Sequence, residues 1–195
     1  MTPRLIPTPS RRAFAAFALP LLGGGLFLAG CNLAQPQADT QRHFILSGPT
    51  GQVPVTNGTK VRPVHVAGHL HGRSMAVRIS EHEVIYLEDF RWAEPLDESI
   101  TQVLRNRLAV VGSGATVSVQ IDRCELVRSA GNSVQLVATY SILLPDTDKN
   151  SPQRGMFTSA PRTWDGKDYG TLVGLLGDAV GELGDAIAAV LPEKK

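Results

Sequence analysis

Three histidines occur close together in the first half of the chain, at a spacing that could gather imidazoles around a metal ion. His65, His69 and His71 are separated by four and by two residues, and His82 follows nearby. Zinc and copper are bound by imidazoles together with cysteine or carboxylate ligands. No cysteine or carboxylate lies beside these histidines at a recognisable ligand spacing. His65 falls in a predicted strand, whereas Gly68 and Gly72 place the others in a surface loop. We therefore predict no metal and no other cofactor, and keep a metal-binding or enzymatic protein built on this cluster as the alternative.

The chain has two cysteines, and they occur in different surroundings. Cys31 follows Leu28-Ala29-Gly30 at the end of an apolar run. This tetrapeptide matches the bacterial lipobox, in which small residues admit the lipoprotein signal peptidase and the cysteine thiol is diacylated. We predict lipidation of Cys31 over the alternative of a buried cysteine at the end of a hydrophobic helix. Cys124 stands in a strand-like run without a partner for a disulfide, and is predicted to be a small buried hydrophobe.

The first thirty residues have the composition of a secretory leader. Arg4, Arg11 and Arg12 precede the apolar run Ala13–Leu28, and the leader contains no acidic residue. A stable membrane span needs roughly 20 apolar residues. This apolar run is shorter than that and is interrupted by glycines, so it does not predict such a span. We predict a lipoprotein signal peptide at residues 1–30, a lipidated tether at 31–41 and the folded domain at 42–195. The pair Arg11-Arg12 resembles a twin-arginine export motif but also suits an ordinary Sec signal, and both routes stay open.

Removal of this leader changes the charge of the chain. It takes away three arginines and no acidic residue, so the formal net charge falls from +1 to −2. Such a balance gives no basic field for nucleic acid or for an anionic membrane surface, so the membrane anchor is predicted to be the lipid. Asn32 follows the lipidated cysteine, where aspartate is the inner-membrane retention signal of enterobacteria. We therefore expect the periplasmic face of the outer membrane, with the inner membrane as the alternative.

Motifs for nucleophilic or hydrolytic catalysis are missing from the sequence. No Gly-x-Ser-x-Gly occurs, and no pair of acidic residues is marked out for glycoside hydrolysis. We predict that the protein is not an enzyme.

The elements that would position these residues follow from apolar periodicity. Val84–Leu87 is rich in β-branched and aromatic residues and predicts a strand. Leu96–Leu108 has apolar residues at helical spacing, with Pro95 suited to the first helical position and Trp92 expected in the core beside the helix. Further strands are predicted at Phe44–Leu46, Val61–Val66 and Met75–Ile79.

A long hairpin is predicted in the second half of the chain. Thr116–Arg128 and Val134–Leu144 alternate apolar and polar residues, and Gly131-Asn132 between them is a signal for a two-residue turn. Met156–Ser159 is predicted as a further edge strand after a polar loop, Pro145–Arg154.

The last predicted element is a helix from Asp168 to Leu191 that carries an unusual stripe of glycines. They recur at alternating spacings of four and three, at Gly170, Gly174, Gly177, Gly181 and Gly184. Each interior glycine costs a helix about 1 kcal/mol relative to alanine, so the stripe needs a compensating reason. We predict close approach of the helix backbone to the sheet or to another helix, with completion of the helix surface by a partner protein as the alternative.

Several of these segments occur in the order found in a known family. Arg91-Trp92-Ala93-Glu94-Pro95-Leu96 before an amphipathic helix resembles the ABC-type transport auxiliary lipoproteins, the PqiC-like proteins that accompany MCE (mammalian cell entry) domain proteins. Phe44-Ile45-Leu46, Val64-His65-Val66 and Met75–Arg78 extend the resemblance from about Phe44 to the C-terminus. Phe44 stands where the family usually has tyrosine, so a role for that phenol is not expected here.

The resemblance implies both a fold and a function. It implies a single α/β domain with a mixed β-sheet packed with helices, similar to the anticodon-binding or TolB N-terminal arrangement. It also implies a non-enzymatic accessory subunit of an MCE/ABC-type intermembrane lipid transport system that supports membrane integrity. Its expected partners are an MCE-domain protein, components of the ABC-type lipid transporter and the membrane through the N-terminal lipid. No nucleic acid is expected, and self-association is left open.

Overall fold

Two helices cover one face of an open mixed sheet in the computed structural model, which describes residues 40–46, 58–111, 113–145 and 151–192. The predicted leader, Cys31 and residues 146–150 of the predicted polar loop lie outside the described residues. The described residues belong to one compact unit, Thr40–Lys195. The elements are β1 (Arg42–Phe44), β2 (Lys60–Val61), β3 (His65–Val66), β4 (Ser74–Arg78), β5 (Val84–Trp92), α1 (Leu96–Leu108), β6 (Thr116–Val127), β7 (Ser133–Leu143), β8 (Gln153–Thr158), β9 (Arg162–Thr163) and α2 (Tyr169–Val190).

The sheet has the strand order β1-β5-β4-β6-β7-β8. β1 lies parallel to β5, and β2, β3 and β4 all lie parallel to β6 at successive positions along its edge. The pairs β4/β5, β6/β7, β7/β8 and β7/β9 are antiparallel. The expected mixed sheet packed with helices is therefore confirmed.

The core lies between the helices and the covered face of the sheet. Alternate residues of β6 and β7 point toward the helices, and the helices direct their apolar stripes back at them. The fully buried side chains of this layer include Ile100, Leu104, Leu108, Val117, Ile121, Leu136, Ile142, Leu183 and Ile187. Burial of one such side chain stabilises the fold by about 1.5–3 kcal/mol, so this layer supplies most of the apolar driving force.

A single strand was predicted at Val61–Val66, and this extent is wrong. The structure has two short strands there, β2 and β3. Arg62 N donates to the carbonyl of Val117 on β6 (2.9 Å), whereas Val64 N donates to the Thr101 hydroxyl on α1 (2.9 Å). Pro63 stands between them and has no N–H to offer β6, so the chain turns toward α1 before it rejoins β6 as β3.

Other boundaries differ by smaller amounts. β1 ends at Phe44, and Leu46 turns into the core. β5 continues from the predicted strand to Trp92, because its last residues pair with β1. The β6/β7 turn is not a two-residue turn, since the paired residues Val127 and Ser133 leave five residues between them. The expected left-handed backbone is present within it, with φ of 72° at Gly131 and 54° at Asn132.

Candidate partner-binding surfaces

The histidines do not converge in the structure. His65 is exposed on β3, and His71 and His82 lie in separate loops. His69 instead meets a carboxylate that the local sequence does not reveal: its Nε2 lies 3.1 Å from Oε2 of Glu125 on β6. Nowhere in the described parts of the chain do three potential ligand side chains group around a metal position.

Glu125 is the centre of a buried charged cluster. Its side chain is 0% exposed, and Arg78 Nε donates to its Oε1 at 2.5 Å. Arg78 comes from β4 and His69 from the short 3-10 turn that precedes it, so one carboxylate holds three segments together. The signal for this cluster in the sequence is a glutamate that stands among apolar residues at 124–127. Its partners lie 47 and 56 residues away along the chain, so the sequence does not identify them.

Two residues with possible chemical roles are core residues. Cys124 is buried, as predicted, and burial raises the pKa of its thiol to about 12. A thiol with such a pKa carries almost no thiolate at neutral pH, so it is a poor nucleophile. Trp92 is 4% exposed and packs in the core, which confirms the prediction made for it.

The glycine stripe of α2 divides into a covered part and an open part. A Cβ on Gly184 would lie 2.8 Å from Cγ of Arg107 on α1, so the backbones of the two helices approach closely there. A Cβ on Gly177 would make ordinary contact with the carbonyl oxygen of Leu46, at 3.6 Å. Gly174 and Gly181 have no neighbour within 4 Å among the described residues. The predicted close approach therefore accounts for part of the stripe.

The open part of the stripe forms the floor of a groove of about 710 Å³ between α1 and the chain at Leu46 and Arg162. Ion pairs line its rim. Arg107 donates two hydrogen bonds to Asp185, at 2.6 and 2.5 Å, and this contact holds the pKa of Asp185 below its usual range. On the other side, Arg162 pairs with Asp178 and Glu182 of α2.

The α1 wall of the groove contains an unsatisfied polar group. Asn106 Oδ1 accepts a hydrogen bond from Gln102, but its Nδ2 is buried and has no partner within the described residues. A buried donor without a partner costs about 1–3 kcal/mol. The buried amide of Asn106 in the wall and the glycines Gly174 and Gly181 in the floor therefore both lower the stability of the fold. No contact among the described residues offsets this loss.

Comparison with known families decides where this chain belongs. The family model for the ABC-type transport auxiliary lipoprotein component matches residues 45–188. The chain belongs to this family. The match spans both helices and nearly all of the sheet, so the groove and the Glu125 cluster are parts of the auxiliary lipoprotein domain.

Solved structures show the same fold as this auxiliary lipoprotein. The crystal structure of an uncharacterized protein matches with a TM-score of 0.62 at 16% identity, over 78% of this chain and 99% of the other. Protein XCC0632 from Xanthomonas campestris, of family DUF330, matches with a TM-score of 0.59 at 15% identity, over 77% of this chain and 95% of its own. A search of curated proteins gave no match.

The name of the family describes an auxiliary component of transport. It also describes a lipoprotein, which is a protein held at a membrane by its lipid. Neither α1 nor α2 is long and apolar enough to cross a membrane. Within the described part of the chain, the groove on α2 combines glycines that meet no neighbour with a buried amide that has no partner.

Alanine substitutions along the stripe should separate its two parts. We expect Gly174→Ala and Gly181→Ala each to raise the free energy of unfolding by about 0.5–1 kcal/mol, because alanine favours the helix and meets no neighbour. Gly184→Ala should lower it, because the new Cβ would press against Arg107. Urea denaturation of the three variants measures the difference. A loss of stability at Gly181 would show that the open groove is needed by the fold itself.

Proposed function

We propose that this protein is a non-enzymatic accessory subunit of an MCE/ABC-type intermembrane lipid transport system and that it supports membrane integrity. Membership of the transport auxiliary lipoprotein family over residues 45–188 is the observation that carries the proposal. The buried state of Cys124 and the scattered positions of the histidines agree with a binding role, because neither forms a reactive site. The partners are an MCE-domain protein and components of the transporter.

A lipid on Cys31 holds the domain at the periplasmic face of the outer membrane. Residues 33–41 span at most roughly 30 Å when extended, so the anchor keeps the domain beside its membrane. A partner that crosses the periplasm must then come to the domain.

Mass spectrometry of the mature protein tests the anchor. We expect an N-terminal Cys31 with its thiol diacylated, because small residues precede it after a basic and apolar leader. Cys31→Ala should abolish both the modification and the processing at this position. Cleavage at another position with an unmodified Cys31 would contradict the assignment.

Within this proposal, the groove on α2 binds the partner protein. Gly174 and Gly181 weaken the helix by about 1 kcal/mol each, and nothing in the described residues uses the space that they leave. A partner segment seated there could approach the helix backbone closely and bury the groove walls. The alternative contact surfaces are the loops at His69–Arg73 and Pro145–Arg154.

Photo-crosslinking in cells that contain the transporter tests this proposal. A photoreactive amino acid at Val103 and at Gly174 reports on the groove, whereas His71 and Pro152 report on the loops and Lys167 serves as an exposed control. We expect an MCE-domain protein to be captured from Val103 and Gly174. Capture from the loop positions alone would move the contact away from α2. Capture from none of the four would overturn the partner proposal.

A further inference from the structure

The face of the sheet opposite the helices carries side chains in transverse rows. Ser118 on β6 pairs with Ser141 on β7, which pairs with Arg154 on β8. Arg62 follows β2 directly, and its N–H donates to Val117, which places it beside Ser118 on the same open face. The row Arg62-Ser118-Ser141-Arg154 therefore crosses four chain segments, with an arginine at each end and two hydroxyls between them.

A second row lies next to the first. His65 on β3 pairs with Gln120, Gln120 with Thr139, and Thr139 with Met156 on β8. The two rows line a shallow cavity of about 630 Å³ and a second one of about 430 Å³, which share Ser118 and Ser141. These two cavities form one trough along a face that none of the described helices covers.

The charge of this trough has a single sign. Its basic lining residues are Arg62, His65 and Arg154, and no carboxylate lines it among the described residues. Neither Arg62 nor Arg154 forms an ion pair with any described residue. Strand spacing places their Cα atoms about 14 Å apart, so the two guanidinium groups flank the serine hydroxyls from both sides.

Apolar groups stand beside these polar rows. Met156 is 75% exposed, although it is a large apolar side chain, and Leu143 at the other margin of the trough is 38% exposed. A free phosphate ion would leave both of these apolar side chains exposed to solvent. An amphiphile with an anionic head would satisfy the arginines and cover the apolar side chains at once.

We propose that this trough binds the phosphodiester headgroup of an anionic phospholipid. Guanidinium groups bind phosphate oxygens through paired, charge-assisted hydrogen bonds, and the hydroxyls of Ser118 and Ser141 donate to the same group. Met156 and Leu143 contact the glycerol and the first carbons of the acyl chains. The choice of a lipid as the anion rests on the proposed function. The anion site itself rests on the rows of arginine and hydroxyl side chains.

Binding of a soluble short-chain lipid to the full lipoprotein in uncharged detergent tests the site. Calorimetric titration with dihexanoyl-phosphatidylglycerol should show saturable binding that inorganic phosphate displaces at higher concentration. The variant Arg62→Gln/Arg154→Gln should lose affinity by at least about tenfold, since both charge-assisted contacts are removed. The control Arg73→Gln/Arg128→Gln changes the net charge equally at residues that do not line the trough, and should stay within about twofold of the native protein.

Any of four results would overturn this proposal. The first three are unchanged affinity in the Arg62/Arg154 variant, equal binding of the zwitterionic dihexanoyl-phosphatidylcholine, and equal binding of an acidic peptide such as hexaglutamate, which would indicate a protein-binding surface. Binding of inorganic phosphate without binding of the lipid would also overturn it. Crosslinking from the α2 groove does not depend on this trough, so failure of the lipid site and failure of the partner proposal give different results.

Discussion

Replacement of Glu125 by alanine is expected to lower the free energy of unfolding by about 3–5 kcal/mol. The side chain of Glu125 is fully buried and pairs with Arg78, whose own side chain is only 12% exposed. Removal of the carboxylate would leave the Arg78 charge inside the protein without a counterion and would release His69 from its contact. Urea denaturation followed by tryptophan fluorescence measures the loss, because Trp92 and Trp164 are both buried.

Two further variants separate the charge from the packing. His69→Ala should cost much less than Glu125→Ala, since His69 is partly exposed and the Arg78–Glu125 pair remains. Arg78→Met combined with Glu125→Leu should recover most of the stability, because replacement of a whole buried ion pair by apolar residues is often neutral. A loss below about 1 kcal/mol in Glu125→Ala alone would contradict the role given to the cluster.

Replacement of Trp92 by alanine is also expected to cost about 3–5 kcal/mol, the usual range for loss of a buried large aromatic side chain. Trp92 ends β5 where that strand pairs with β1, and its backbone N–H donates to the carbonyl of Arg73 at 2.7 Å. Its ring is buried in the hydrophobic core, so alanine would leave a cavity there. The midpoint of urea denaturation, read from the fluorescence of Trp164, measures this loss.

Trp92→Phe provides the matched control, because it keeps an aromatic ring and should cost clearly less than Trp92→Ala. Tyr86→Ala on the same strand removes an aromatic that is about half exposed and should have a small effect. A Trp92→Ala protein with unchanged stability and impaired lipid transport would show instead that the ring acts in a contact with a partner.

The sequence predicted those elements whose apolar period is long and regular. α1 was predicted at its observed bounds, and α2 and the β6/β7 hairpin within one or two residues. Periodicity reports which side of an element is buried, but it does not report which element lies next to it. For this reason the parallel pairing of β1 with β5 and the division of the strand at Pro63 were missed.

The same limit applies to the candidate sites. The glycine spacing on α2 was visible in the sequence, but the difference between Gly184 and Gly181 depends on where α1 meets the helix. The contact of Glu125 with Arg78 and His69 joins residues far apart in the chain. Likewise, the net charge of −2 gave no sign of a basic face, because a sum over the chain does not show how a fold separates its charges. Lipidation of Cys31 stays a prediction.

The strand pairing of β6 determines which parts of the domain unfold locally and which unfold only with the whole domain. β6 is twelve residues long, with β7 along one edge and β2, β3 and β4 in succession along the other. Thr116–Val117, Gln120–Ile121 and Leu126–Val127 have a neighbouring strand on both edges, so the amides of these segments should exchange with solvent deuterium only through global unfolding. β1 has three residues and, among the described strands, pairs with β5 alone, so its amides should exchange through a smaller, local opening. In hydrogen-exchange measurements this domain should therefore show a slow centre at β6 and β7, and a faster margin at β1.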